Sequence, residues 1–515
     1  MKMKDKPESQ FEFLDGQTVW TSQTAPKIQE PVNLGTGDFT LCVRASWEGC
    51  EAGSGDLLSQ FDSKERRGFC LTLSSLAAAC TSQTHTRKLV FGIDAGTDPN
   101  WVDVGNPGGQ TVYPFALCEF RGQMHAGVYT NAGDNRAAVY RFDDTSGWVD
   151  CGFPGRGNAA SAMAVLDNTL YVAGASYDTK GTHLNGARNR ESDGHVYAFD
   201  GGEWRDCGRV SECSMIGSLA TLNGTLYATA FQQYTDAKSR PDCGLYRMVR
   251  PGEWEFCGNP GERIAPIIPW RGMLVAGGFN EGGIYAYNPV AKSWDSWGKP
   301  PFEGTSQIYS FVEYNGELLA GTWRVAKVFA IEGPNTFREI GSMGNELEVM
   351  AMAVFNGKLY GGTLPLAQIY RFEQENGWLL IDRLDHTDTE YRRIWSMAVT
   401  GGHLYCGAVP SGHIYRMTAG DVVSSDESLP EGWHHIVARR KDNRLSLYVD
   451  GRKVAEQSHV SSWLKDRALD LTTDAKLVIG GGPSGAWQGE ISKVSIHLRA
   501  LSEEEILKAW LPVGV

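Results

Sequence analysis

The sequence predicts an all-β chain whose larger part is a seven-bladed β-propeller, and three observations lead there. A short apolar strand built on an aromatic recurs between Trp101 and Met417: Val139-Tyr140-Arg141-Phe142, Val196-Tyr197-Ala198-Phe199, Leu245-Tyr246-Arg247-Met248, Ile284-Tyr285-Ala286-Tyr287, Val328-Phe329-Ala330-Ile331, Ile369-Tyr370-Arg371-Phe372 and Ile414-Tyr415-Arg416-Met417. The aromatics at 140, 197, 246, 285, 329, 370 and 415 are spaced by 39 to 57 residues, a period that means stacked or radially arranged units. Within each unit apolar and polar residues alternate and Gly-rich turns separate the runs, so the units are sheets. The third observation is a displaced copy. An aromatic opening a further strand follows six of the units (Trp148, Trp204, Trp254, Trp294, Phe337, Trp378), but none follows Met417. The missing copy stands ahead of the first unit, where Trp101-Val102-Asp103-Val104-Gly105 parallels Trp148-Val149-Asp150-Cys151-Gly152. One blade is thereby shared between the two ends of the repeat, which closes the ring and leaves no free sheet edge.

Each unit reads as four strands. The first is small and apolar, as in Ser161-Ala162-Met163-Ala164-Val165, and suits the crowded axis where the sheets converge. A tight turn follows with Gly or Asn at its tip (Gly122, Asn168, Gly224, Gly272, Gly316, Gly357, Gly402), where positive φ is easily adopted. The second strand carries pairs such as Leu170-Tyr171 and Leu359-Tyr360, the third carries the recurrent aromatic, and the fourth opens on Trp or Phe.

Residues 1–30 are polar and read as a weakly ordered lead-in. Sandwich-like strands then occupy 31–95: Gly37 to Ala45, Leu57 to Asp62, Gly68 to Leu73 and Lys88 to Asp94. Four strands cannot close a sandwich alone, and the repeat region of 96–425 intervenes before further strands appear in 426–515. These are Glu431 to Ala438, Arg444 to Val454, Lys476 to Gly482 and Trp487 to Ile496. A short helix ends the chain, with Ser502-Glu503-Glu504-Glu505 as its capping box.

The Gly37-Asp-Phe-Thr opening, Glu431-Gly-Trp-His-His, Leu447-Tyr-Val-Asp-Gly, Ile479-Gly-Gly-Gly, Gly489-Glu-Ile and Arg499-Ala-Leu-Ser-Glu-Glu-Glu together resemble the laminin G-like (concanavalin A-like) jelly-roll family. The resemblance covers roughly 32–95 and 428–511 and nothing between. It implies a seven-bladed β-propeller inserted into one loop of a concanavalin A-like (laminin G-like) β-sandwich, an insertion tolerated because a propeller's ends lie side by side.

Composition narrows the function. With 48 basic against 61 acidic residues the net charge is −13, which argues against a general nucleic-acid or anionic-membrane binder. No apolar run approaches the ~18 residues of a membrane helix. The start lacks the apolar core of a signal peptide, so the chain reads as cytoplasmic, or as secreted or periplasmic with a leader removed. Eleven cysteines include no C-x-x-C pair; Cys151, Cys207 and Cys257 repeat one position and read as small buried residues. No His, Cys and carboxylate set has the spacing of a zinc site, and no phosphate loop, nucleophile elbow or dinucleotide fingerprint occurs. No cofactor or metal is expected.

Propeller connectivity puts the first-to-second and third-to-fourth turns on one face, where they are short. The long insertions, Ser176 to His195 and Phe231 to Asp242, fall on the other face, which is the one expected to bind. Aligning the units sets Tyr113, Ala159, Met215, Arg263, Gln307, Glu348 and Arg393 at the channel mouth, with Phe115, Ser161, Gly217, Ala265, Tyr309, Met350 and Trp395 one layer in. Trp323 and Arg324 belong to the same face. Arg263, Arg324 and Arg393 beside Tyr113, Tyr309, Trp323 and Trp395 suit an acidic oligo- or polysaccharide, through stacking and bidentate hydrogen bonds. A sequence of this kind resembles carbohydrate-active propeller proteins. A lyase acting on a uronate needs a base, for which Tyr309, His195 and also His183 are candidates, and cations for the developing charge, for which Arg324 stands out. A glycoside hydrolase needs two carboxylates, with Glu281 and Glu348 as candidates. Gln307, Arg263 and Arg393 are expected to hold substrate. The alternative is a non-catalytic lectin or interaction scaffold, in which the same polar residues only solvate a channel and the Trp residues only pack.

Overall fold

A computed structural model describes residues 10–21, 25–47, 55–73, 77–79, 88–109, 112–131, 136–186, 189, 191–233, 241–425, 429–457 and 468–510. It comprises four-stranded antiparallel blades around an axis and a sandwich of two six-stranded sheets. The innermost strands of the blades are Val112–Phe120, Ala159–Leu166, Met215–Leu222, Ile264–Trp270, Gln307–Tyr314, Glu348–Phe355 and Arg393–Thr400. Seven blades are therefore present. The last takes its outer strand from Asn100–Asp103, which pairs Trp101 with Met417 and Asp103 with Tyr415.

The outer-strand Trp explains why the repeat is kept. Trp204 Nε1 donates to the Cys151 carbonyl at 2.7 Å, Trp254 to Cys207 at 2.9 Å and Trp294 to Cys257 at 3.0 Å. Blades two, three and four are thus each stapled to the residue at the repeated Cys position of the blade before. Trp148 finds Val104 in that role at 3.0 Å, so the closing strand carries the staple across the seam. The first-to-second turns are two-residue hairpins with positive φ at both central residues, for example Asn315 (52°) and Gly316 (76°), a twist that matches the flanking strands.

The two sandwich sheets enclose a core that includes Phe39, Phe69, Phe91, Ile436, Leu447, Ile479, Trp487 and Val494, drawn from both sides of the propeller insertion. Two segment boundaries differ from the sequence reading. Gln10–Thr21 is a strand of the sandwich, pairing with Glu490–His497, and it buries Leu14 and Trp20 in the core, so the polar lead-in is shorter than 1–30. Asp421–Ser424 pairs with Leu89–Ala95 and buries Val422 and Val423, so the chain rejoins the sandwich ahead of 426.

The sandwich lies against the short-turn face of the ring. Lys358 pairs with Asp94 and Lys88 with Glu119, both inside the junction. Asn356 Nδ2 donates to the carbonyls of Ile93 and Ala419, and Asn315 N to that of Pro483. Those turns are short because they are covered. A further strand, Ala77–Ala79, leaves the sandwich and pairs with Ser310–Val312 on the inner strand of blade five, next to the inner strands of blades four, six and seven. The axis is therefore occupied by chain from the sandwich side. Among the described residues no helix is long and apolar enough to cross a membrane.

Candidate functional site

The inner strands build the loop-rich face through a shared irregularity. The register slips between Ala160 and Ala162, Ile216 and Ser218, Ile308 and Ser310, Val349 and Ala351, and Ile394 and Ser396. A bulge of this kind re-aims the skipped residue. The skipped residues Ser161, Gly217, Tyr309, Met350 and Trp395, with Phe115 in blade one, form the second layer expected from the alignment. Phe115, Met350 and Trp395 join Ala159, Met215, Ala265 and Leu364 in one apolar cluster on the axis, with Tyr309, Trp323, Phe279 and Leu347 at its margin.

The blade-two insertion closes half of the mouth. Tyr177 sets its edge on Phe115 (4.9 Å between centroids), which stacks face to face on Trp395 (4.2 Å, 1°). Tyr129 donates from its hydroxyl to the Asn185 carbonyl at 2.9 Å, and Tyr113 stacks on Tyr129 at 5.7 Å. From blade seven, Arg393 donates through Nη2 to the Thr182 carbonyl at 2.6 Å and through Nη1 to the Tyr391 carbonyl at 3.2 Å. His183 lies edge-on to Tyr391 at 4.5 Å, with Nδ1 3.6 Å from Glu390. The insertion thus bridges blades one, two and seven.

This placement revises part of the expected site. Tyr113 and Trp395 are only 4% and 3% exposed; they pack against aromatics and present no platform to a sugar. Arg393, 4% exposed, anchors the insertion instead of facing solvent. His195 stands apart on the third strand of blade two, its Nδ1 3.0 Å from Asp206 of the outer strand. A base role for His195 in the mouth has no geometric support, because strand pairing turns it toward the rim of the blade.

Among the described residues the other half of the mouth is open, over blades four to six. Arg324 is exposed there, with no hydrogen bond or ion pair among the described residues, directly after half-buried Trp323. Trp323 is cross-strand from Gln307 and adjoins Glu348 of the next blade. Tyr309 packs on Phe279 at 5.3 Å. Arg263 lies over the rings of Phe231 and Phe279 and donates to the Phe279 carbonyl at 3.1 Å. Glu281 is exposed on the neighbouring turn. Glu348, 5% exposed, has an Oε1 without a hydrogen-bond partner among the described residues. Burial pushes its carboxyl up to about 8 against the pull of Arg393, so it is a neutral acid near pH 7. The open arc therefore combines aromatic surface, an uncommitted guanidinium and a buried proton donor.

Sequence reading missed the acids that shape this face. Glu262 accepts from the backbone N–H groups of Asn280, Glu281, Gly282 and Gly283 and from the Tyr285 hydroxyl, fixing the turn that carries Glu281. Asp193 accepts from Arg156 N, Gly157 N and the Tyr197 hydroxyl. For Asp193 the available signal was an acid four residues before the repeated Tyr; Glu262 lies 23 residues before Tyr285, and no local pattern marks it. Among the described residues one grouping could hold a metal ion: donor atoms of Cys213, Asp242 and Cys243 all lie within 4.8 Å of one another, the thiols buried with Sγ atoms 3.2 Å apart. Spacing along the chain could not reveal it, since Cys213 lies in a blade link and the pair 242–243 beyond the blade-three insertion.

The model of the concanavalin A-like lectin/glucanases superfamily matches residues 378–507, which take in the later strands of the sandwich and the end of the ring. No curated protein matches the sequence. Among solved structures, YCF48 bound to D1 peptide is 12% identical with a TM-score of 0.44, over 62% of this chain and 97% of that one. The extracellular domain of BT4673 from B. thetaiotaomicron is 12% identical with a TM-score of 0.44, over 68% of this chain and 52% of that one. The WD40 β-propeller domain of Doa1 is 10% identical with a TM-score of 0.40, over 62% and 97%. Strand pairing and the family match together make the chain a split concanavalin A-like sandwich with an inserted propeller. That architecture fits a carbohydrate-related or binding role.

Proposed function

We propose that the open arc over blades four to six binds an acidic, uronate-containing oligosaccharide, with Glu348 placed to act as general acid on a glycosidic oxygen. The observation that carries this reading is the placement, on either side of the Trp323–Glu348 strand contact, of exposed Arg324, unpartnered among the described residues, and of Glu348, whose carboxyl burial pushes up to about 8. A guanidinium holds a carboxylate bidentately, and Trp323 and Tyr309 offer apolar faces for a sugar ring. A carboxyl kept neutral near pH 7 is the form a general acid needs. Glu281 is then the second carboxylate of a hydrolytic pair. In a lyase Tyr309 would supply the base, and Arg263 and Arg324 would steady the enolate charge.

Titration calorimetry with uronate oligosaccharides tests the reading. Arg324→Ala should cost about tenfold to a hundredfold in affinity, the range for a hydrogen bond to a charged group. Arg324→Lys should recover little, because Lys keeps the charge and loses the fork. Arg141→Ala, on a third strand at mid-blade, is the control. Glu348→Gln should keep binding and lose turnover. New reducing ends without a new ultraviolet-absorbing double bond mark hydrolysis, the double bond marks a lyase, and binding without products marks a lectin. Unchanged affinity in Arg324→Ala would move the site elsewhere. The lectin reading is favoured by one observation: Arg393 and Trp395 are committed to packing in the closed half, leaving fewer reactive groups at the mouth as a whole.

A further inference from the structure

A second site is drawn on the outer face of the sandwich. The strands Phe39–Trp47, Gly432–Lys441 and Glu490–His497 lie side by side, and their register sets Lys493 opposite Arg44 and Arg44 opposite His435. Alternation turns these three away from the core, which receives Val43, Ala45, Ile436 and Val494 instead. Like charges directly opposite each other destabilise a sheet. Lys493 and Arg44 nevertheless stand side by side, both exposed; Asp15 stands opposite Lys493 on its other side, and neither cation makes an ion pair among the described residues. Arg44 lies 5.6 Å over the ring of Trp433, which is itself exposed.

A cavity of about 230 Å³ opens over this row, between the sheet and the C-terminal helix Glu503–Trp510. His435 lines it, more than nine-tenths buried and with Nδ1 lacking a hydrogen-bond partner among the described residues. Burial, with the two cations adding to it against Asp450, holds the imidazole down to about 4, so it is a neutral donor or acceptor. The next row along the strands is Glu12, Ser495 and Cys42, and the one after it includes Gln10 and His497. Arg499, at the helix end, is already neutralised by a two-pronged contact with Glu505 at 2.9 and 2.7 Å. The cavity thus has positive charge at one end, where Arg44 faces Lys493 and His435 and no carboxylate, and hydroxyl-binding groups at the other. It is smaller than the ~300–1,000 Å³ of drug-sized pockets, which limits an occupant to about one ring.

We propose that this pocket binds a small carboxylate-bearing polyol, its carboxylate held by Arg44 and Lys493 and its hydroxyls by Glu12, Ser495 and Gln10. The site lies on a different domain from the propeller mouth and does not depend on what that face binds. D-glucuronate titrated into the full chain is the test, with the same titration in Arg324→Ala. Binding should persist in Arg324→Ala, fall roughly tenfold or more in Arg44→Ala and in Lys493→Ala, and weaken as salt is raised. D-glucose, which lacks the carboxylate, should not bind, and inorganic sulfate should compete. Both substituted residues are exposed, and an unchanged melting temperature will show that the fold is kept. The proposal is overturned if wild type does not bind glucuronate, or if both sandwich variants bind it like wild type. Loss of binding in Arg324→Ala alone would assign the ligand to the propeller and equally overturn it. Equal binding of glucose would remove the carboxylate from the argument, and binding of sulfate without glucuronate would remove the polyol.

Discussion

Glu348 shows what a single residue adds to a repeated frame. Its place at the start of an inner strand follows from the alignment of the blades, but its chemistry depends on what covers it, which no alignment states. In the folded chain the carboxyl keeps its proton to about 8, whereas an unfolded chain releases it near the ordinary carboxylate range. Between those values the native state binds the extra proton, so stability falls as pH rises through this window and levels off above it. The slope is at most about 1.4 kcal/mol per pH unit. Glu348→Gln keeps the neutral shape and should remove this loss, narrowing the gap between unfolding free energies at about pH 5 and about pH 9. An identical gap in both proteins would show that the carboxyl is ionised at neutral pH. Arg393 and Trp395 make the same point from the other side. Their positions were legible, while their burial was not, because it is imposed by blades one and two across the closed ring, with Thr182 lying 211 residues before Arg393.

At the scale of the element, the regular strands were the most legible part, since period-two alternation and hairpin turns are local. The displaced Trp101 strand was legible for the same reason: it repeats a pattern seen elsewhere in the chain. Removing 100–104 takes away both the outer strand of blade seven and the Val104 carbonyl that accepts from Trp148, and it reopens the ring. Loss of the cooperative thermal transition is expected, and a variant that melts like the parent would refute closure. The blade-two insertion was legible only as a long loop, because its partners lie on blades one and seven. Arg393→Ala should release it: two hydrogen bonds to carbonyls are lost from a charged donor, each worth about 1.5–3 kcal/mol. Proteolysis within 176–186 should then accelerate ahead of global unfolding. Cleavage no faster than in the parent would mean that the aromatic contacts of Tyr177 hold the insertion unaided.

For the whole molecule, the asymmetry between the two faces of the ring follows from the sandwich. One face carries short turns because it is buried against another domain, and the other is free to lengthen. The split of the sandwich was legible in the mismatch between strand number and need; the depth of the junction was not, since Lys358 and Asp94 are 264 residues apart. Burial opposes the charge on both. Lys358 with the neighbouring Thr97 contacts still holds Asp94 below the ordinary carboxylate range, while burial pulls the Lys358 ammonium down. Removing one partner strands the other: breaking a buried pair costs about 3–5 kcal/mol. Lys358→Met should therefore lower the melting temperature sharply, and Asp94→Asn with Lys358→Met should recover much of the loss, because no buried charge then remains. Sandwich and propeller should melt together in each variant, since two chain crossings, the buried pairs and the Ala77–Ala79 strand tie them. The matching expectation is that residues 428–515 alone do not fold, for their strands in both sheets lack partners supplied by residues before the propeller. A monomeric 428–515 fragment with a sharp transition, or a Lys358→Met chain that melts in two separated steps, would show the sandwich to be independent of the ring.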